Sequence, residues 1–106
     1  MTDFELGWVA GIIDGEGCIG CYRYGRDKNK KRPIIQVENT SYDIIEKLSQ
    51  LCGGVNYEII RRNRPRSKRI WTWRLYGKGL LGFLEKIEPI LVSKRERALE
   101  IISSLT

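Results

Sequence analysis

The chain has 106 residues and a formal net charge of +6, with 19 Lys and Arg against 13 Asp and Glu and no histidine. This length suits one domain over 1–106 whose thin core would gain from a partner subunit. The positive balance points to a polyanion, nucleic acid before an anionic membrane, while the lack of histidine excludes triads and other imidazole-based chemistry.

In chain order, Thr2 and Glu5 fit a capping box, which predicts a helix over about 3–14, closed at Gly15 or Gly17. Residues 18–24 read as a strand, residues 25–31 as a charged turn and residues 33–39 as a second strand of the same hairpin. Thr40 and Asp43 predict another cap, and Ile44, Ile45, Leu48 and Leu51 keep a helical period until Gly53 and Gly54. Residues 55–61 and 69–76 read as a second hairpin around a basic loop. A third helix covers about 79–87 before Pro89, and a fourth follows Ser93, with Glu96 completing a capping box. The order α-ββ-α-ββ-α-α predicts an α+β fold, with one antiparallel sheet, helices on one face and the other face open.

No apolar run approaches the ~18 residues of a membrane span, and no signal-peptide pattern opens the chain. Three cysteines, an odd number, suit reduced thiols in an intracellular setting. Cys18 and Cys21 form a lone C-x-x-C whose members would point to opposite faces of a strand, which argues against structural zinc.

The unusual segment is 6–17, LGWVAGIIDGEG. Gly7, Gly11 and Gly15 recur every fourth residue and line one helical stripe. An interior glycine costs about 1 kcal/mol relative to alanine, so the stripe needs a reason. A second helix packing backbone to backbone supplies one, with Trp8 and Ile12 flanking the contact and Leu6, Val9, Ala10 and Ile13 facing the core. Asp14 and Glu16 then sit at the helix C-terminus, where an acid opposes the macrodipole; such acids suit a cation ligand, though a solvated turn would also hold them. Gly15-x-Gly17-x-x-Gly20 matches a dinucleotide fingerprint literally, but it closes a helix and opens a strand, the reverse of what nucleotide binding requires.

Residues 9–17, VAGIIDGEG, resemble the nine-residue LAGLIDADG motif position by position. Gln36-Val37-Glu38-Asn39 before a helix, Trp73-Arg74-Leu75 before a Gly-Lys turn, and Pro89-Ile90-Leu91 followed by Lys94 are similar to family features in the family order. The resemblance is to the single-motif LAGLIDADG homing endonucleases and covers nearly the whole chain. It implies an αββαββα core with a saddle-shaped antiparallel sheet that sits on double-stranded DNA, here with an added C-terminal helix. It also implies a homodimer through the motif helices, with Gly7, Trp8, Gly11, Ile12 and Gly15 at the interface, and a palindromic or near-palindromic site. Glu16 matches the metal-binding acid, the Gly15 carbonyl an extra ligand, and the implied cofactor is a divalent metal, magnesium. Lys94 matches a lysine near the site, and Asn39 stands where relatives often carry a water-positioning glutamine. Asp14 matches the other acid and is assigned to local hydrogen bonding.

Given that frame, alternation puts Ile19, Cys21, Ile35 and Val37 toward the helices, and Gly20, Tyr22, Tyr24, Lys30, Arg32, Ile34 and Gln36 toward DNA. In the second hairpin the resemblance turns Tyr57, Ile59 and Arg61 to DNA. Trp71 and Trp73 are expected inside, with Thr72 and Arg74 on the opposite face. Arg61, Arg62, Arg64, Arg66, Lys68 and Arg69 cluster at the loop, as phosphate contacts would require. The leading expectation is a metal-dependent DNA endonuclease. The competing ones are a non-cutting DNA-binding regulator or intron-RNA maturase on the same scaffold, and a dimerisation module without nucleic acid.

Overall fold

The computed structural model describes residues 1–23, 26, 29–60 and 68–106. Among them the helices are α1 (Asp3–Glu16), α2 (Tyr42–Cys52), α3 (Leu80–Ile87) and α4 (Arg95–Leu105), with one 3-10 turn at Glu88–Ile90. The strands are β1 (Gly17–Arg23), β2 (Lys31–Asn39), β3 (Val55–Ile59) and β4 (Ile70–Leu75). The strands form one antiparallel sheet in the order β1-β2-β4-β3, so each hairpin takes one half and β2 pairs with β4 at the centre. This is the α+β architecture expected from the sequence.

The sheet's two faces follow from the register. Ile35 pairs with Leu75 and Val37 with Trp73, and these four turn to the helices, where they are buried with Val9, Ala10 and Ile13 of α1, Ile45 and Leu48 of α2, and Leu80, Leu84 and Ile87 of α3. Trp73 is fully enclosed, stands edge-on to Phe83, and donates its indole N–H to the Gly53 carbonyl at 2.8 Å. Trp73 lies inside, as expected, while Trp71 is half-buried at the core edge. Gly54 adjoins that contact at φ +85°, and a Cβ there would meet the Arg74 carbonyl oxygen at 2.4 Å, so only glycine fits.

Some local expectations change. The Thr2–Glu5 capping box forms in full. Asp43 and Glu96 do not complete boxes, because α2 starts behind Ser41 and α4 behind Lys94, neither with a side-chain cap. Helix α1 runs through Gly15 and Glu16 and stops where Gly17 turns extended, the later of the two expected closures. Cys21, expected to face the helices, is exposed, because the core ends at Ile19 on this edge strand. Cys18, Cys21 and Cys52 are free, and burial pushes the Cys52 thiol up to about 11. No helix among the described residues is long and apolar enough to cross a membrane.

Candidate functional site

The C-terminal end of α1 is tied to the start of α4 across nearly 80 residues of sequence. The Asp14 carboxylate accepts from the backbone N–H of Val92 at 2.8 Å and of Lys94 at 3.0 Å, and from the Ser93 hydroxyl at 3.2 Å. Its backbone carbonyl accepts from Lys94 Nζ at 2.7 Å and from Ser93 Oγ at 3.3 Å. Partial burial raises the Asp14 carboxyl, but the donors at Val92, Lys94 and Ser93 outweigh it and hold the group below the usual carboxylate range. Ser93 lies one residue ahead of Lys94, the N-cap of α4, and its hydroxyl donates to Asp14. One consequence is that Lys94 is held against the last turn of the motif helix.

Glu16 closes that turn and is exposed. Asn39, at the end of β2, donates Nδ2 to Glu16 Oε2 at 2.5 Å. Asn39 Oδ1 meanwhile accepts the Ser41 backbone N–H at 2.7 Å, which fixes the amide's orientation. Glu16, Asn39 and Lys94 therefore gather around one helix end, from α1, β2 and the α4 approach. The last carbonyls of a helix lack intrahelical donors, and that of Gly15 belongs to this group. A carboxylate with one oxygen beyond Asn39's reach, beside such a carbonyl at the negative end of a helix dipole, is a hard oxygen donor set of the kind magnesium and calcium take. It is an incomplete one: among the described residues no three His, Cys, Asp or Glu converge.

The glycine stripe lies on the outer side of α1. A Cβ built at Gly7, Gly11 or Gly15 meets nothing within 4 Å. Trp8 and Ile12, half-buried, flank the stripe and pack on the core edge, and the Lys47 ammonium stands 5.0 Å from the Trp8 ring centroid. Phe4, one turn before Gly7 and Trp8, is 81% exposed and extends the same face. Sequence reading overlooked Phe4, although its spacing from Trp8 and Gly11 would have marked it.

On the open face of the sheet, alternation and register bring together Cys18, Gly20 and Tyr22 of β1, Arg32, Ile34, Gln36 and Glu38 of β2, Thr72 and Arg74 of β4, and Tyr57 and Ile59 of β3. The expected DNA-facing residues among the described ones do lie there, with Lys30 and Lys68 exposed at the strand ends. Ile34 needs a correction. It is on the open face but only 4% exposed and outside the helical core, because the Tyr22 ring folds back over Gly20, its cross-strand neighbour. It forms the floor and does not reach the surface. Arg32 stacks on Tyr76 at 3.8 Å, and Gln36 Nε2 donates to Glu38 Oε1 at 2.7 Å. Tyr24, Arg61, Arg64 and Arg66, also expected at this surface, lie outside the described residues.

Arg74 was placed on this face by alternation but not counted among the binding residues. It sits between Gln36 and Val55 in the register, with its guanidinium 5.6 Å from the Tyr57 ring centroid. Its Nε is buried without a hydrogen-bond acceptor among the described residues. The cation is thus held by stacking, which leaves its hydrogen-bonding edge uncommitted.

No protein-family model and no curated protein sequence matches the chain. Solved structures do. The homing endonuclease I-CvuI, in complex with the I-CreI target in 2 mM Mg with the DNA not cleaved, superposes with a TM-score of 0.74 at 22% identity, over 94% of this chain and 64% of that one. The archaeal intron-encoded homing endonuclease I-Vdi141I, complexed with DNA, gives 0.72 at 17% identity over 95% and 66%. The LAGLIDADG homing endonuclease I-SmaMI, bound to cleaved DNA, gives 0.65 at 16% identity over 92% and 34%. The chain spans less than two thirds of the length of each. Together with the motif helix that ends in Glu16, these likenesses establish that the chain has the fold of the LAGLIDADG homing endonucleases.

Proposed function

We propose that this protein is a site-specific DNA endonuclease that acts as a homodimer and hydrolyses one phosphodiester on each strand of a palindromic or near-palindromic site. The observation that carries the reading is the helix end itself: an exposed acid held by Asn39, beside a lysine held by Asp14, at the foot of an open face rich in arginine and tyrosine. The structural neighbours whose DNA complexes are known support duplex DNA as the partner.

Glu16 and the Gly15 carbonyl would hold a divalent ion, and two such ends meeting across a two-fold axis would double the donor set. When bound, the ion supplies Lewis-acid stabilisation of the charge that develops on the phosphodiester. Asn39, with its Oδ1 committed to Ser41, acts as a positioning residue that aims the Glu16 carboxylate. Asp14 positions Lys94, whose ammonium is set to neutralise charge near the reacting phosphate. On the open face, Arg74, Gln36 and Arg32 offer the donors that read base edges in a major groove, and arginine with glutamine favours guanine and adenine respectively. The glycine stripe with Phe4, Trp8 and Ile12 is the proposed dimer face, because it lies open along the outer side of α1 and its missing side chains let a second backbone come close.

The test is cleavage of a randomised duplex library with magnesium, sequencing the ends, by the wild type and by Glu16→Gln. A recurrent near-palindromic site cut on both strands, with cutting reduced at least about a thousandfold in Glu16→Gln while binding persists, is the expected result. Binding without cut ends from a folded, dimeric wild type would replace this reading with that of a non-cutting regulator or maturase.

A further inference from the structure

At the seam where β1 meets α4, a depression of about 360 Å³ opens beside the end of α1, lined by Cys18, Tyr22, Ser93, Lys94 and Arg97. It is contiguous with the open face through Cys18 and Tyr22, and with the Glu16 end through Lys94. The cation that defines it is Arg97. Its Nε donates to the Ile19 carbonyl at 3.2 Å and its Nη1 to Glu100 Oε2 at 2.7 Å, so the guanidinium is braced against the edge strand. The edge strand's carbonyl fixes the head, and an exposed acid takes one arm. A braced guanidinium presents its remaining N–H groups in a fixed plane, the geometry that fits two oxygens of one phosphate. Asp14, the other carboxylate at this seam, turns its oxygens to backbone donors and Ser93, so the charged side chains that line the depression itself are Lys94 and Arg97.

We propose that this depression seats a phosphodiester of the DNA backbone, with Arg97 as its principal cation and Tyr22 as a hydroxyl partner. The proposal rests on the reading of duplex DNA as the partner, and deepens it by adding an anchoring point outside the sheet's base-reading face. The seat fixes the track of the strand as it leaves the Glu16 end, and reads no sequence. Tyr22 links the two regions: it lines the depression and pairs with Arg32 on the open face, and burial with the neighbouring Cys18 raises its phenol against the pull of Arg97 and Arg74. The same ring thus borders both the seam and the base-reading face.

The experiment measures affinity for a duplex of fixed sequence across a salt series, for wild type, Arg97→Ala and Glu100→Gln. Each phosphate neutralised contributes about 0.9 to the slope of log affinity against log salt. Arg97→Ala is expected to weaken binding about tenfold per subunit and to flatten the slope by about one unit per subunit, equally on unrelated sequences. Glu100→Gln, which frees the guanidinium without touching its brace on Ile19, is expected to tighten binding a few-fold and steepen the slope. If wild type binds DNA with a steep slope and both variants match it, the seat is wrong and the endonuclease reading stands. If wild type shows no salt-dependent affinity for DNA, the reading beneath both falls. Should Arg97→Ala unfold, the opposite-signed effect of Glu100→Gln alone decides.

Discussion

The two sides of α1 are built on opposite rules. On the inner side Val9, Ala10 and Ile13 are 0–2% exposed and packed against both sheet and helices. On the outer side Gly7, Gly11 and Gly15 stand in open space, and beside them Phe4 puts a whole aromatic ring into water. Folding of one chain explains the inner side completely. It does not explain the outer one, which carries three glycines' worth of lost helix propensity, about 1 kcal/mol each, with nothing gained inside the chain. A helix that is well made on one side and costly on the other is a folding element and a surface at once, and the two roles separate by mutation.

The inner side breaks hardest. Ile13→Ala would leave a cavity where the helix meets the core, at a cost of about 2–5 kcal/mol, read as a fall in Tm of about 10–20 °C. Calorimetry of the folded protein checks it, and a loss below about 1 kcal/mol would mean that α1 is not seated as described. The end of the helix comes next. Asp14→Ala leaves three donors without their carboxylate, at a cost of about 2 kcal/mol and about 10 °C in Tm. The pH dependence has a definite sign. The folded Asp14 carboxyl lies below its ordinary value, so its stabilisation is complete above that value and is lost as pH falls through the folded one. The Tm gap between wild type and Asp14→Ala is therefore constant above about pH 5 and narrows in stronger acid. A gap that widened toward low pH would contradict the hydrogen bonds to Val92, Ser93 and Lys94.

What the sequence revealed and what it hid follow the same division between local and distant causes. The capping box at Thr2 and Glu5 and the inward Trp73 depend on neighbours or on strand alternation, and both were legible. Ser93 and Glu96 spell a capping box just as plainly, yet the Ser93 hydroxyl goes to Asp14, and no local rule announces a competitor 79 residues away. Thr40 and Asp43 fail for a nearer reason: Asn39, engaged with Glu16, takes the Ser41 N–H and sets where α2 begins. Residues of the candidate site were found through the motif, but their supports were not. The lock on Lys94, the bond from Asn39 to Glu16 and the bracing of Arg97 on Ile19 all join elements far apart in the chain. Arg74 could have been found, since alternation already set it on the face opposite the tryptophans. Ile34 could not, because its burial depends on how the Tyr22 ring folds over a glycine.

The outer side of α1 gives the smallest change in stability and the sharpest contrast. With nothing within 4 Å of its missing Cβ, Gly11→Ala is expected to stabilise the isolated fold by about 1 kcal/mol through helix propensity alone. If the stripe is where two motif helices touch, the same methyl group holds the backbones apart and moves the population toward monomer. Sedimentation then shows dissociation at concentrations where wild type is dimeric, while the monomer's own unfolding moves to higher temperature. No substitution in a core position can produce that pair of opposite signs, because there stability and assembly fall together. A Gly11→Ala protein that gained stability and stayed as dimeric as wild type would remove the glycine face from the interface. The proposed pairing of two Glu16 ends would then need some other surface, since among the described residues one chain gathers no three metal-ligating side chains.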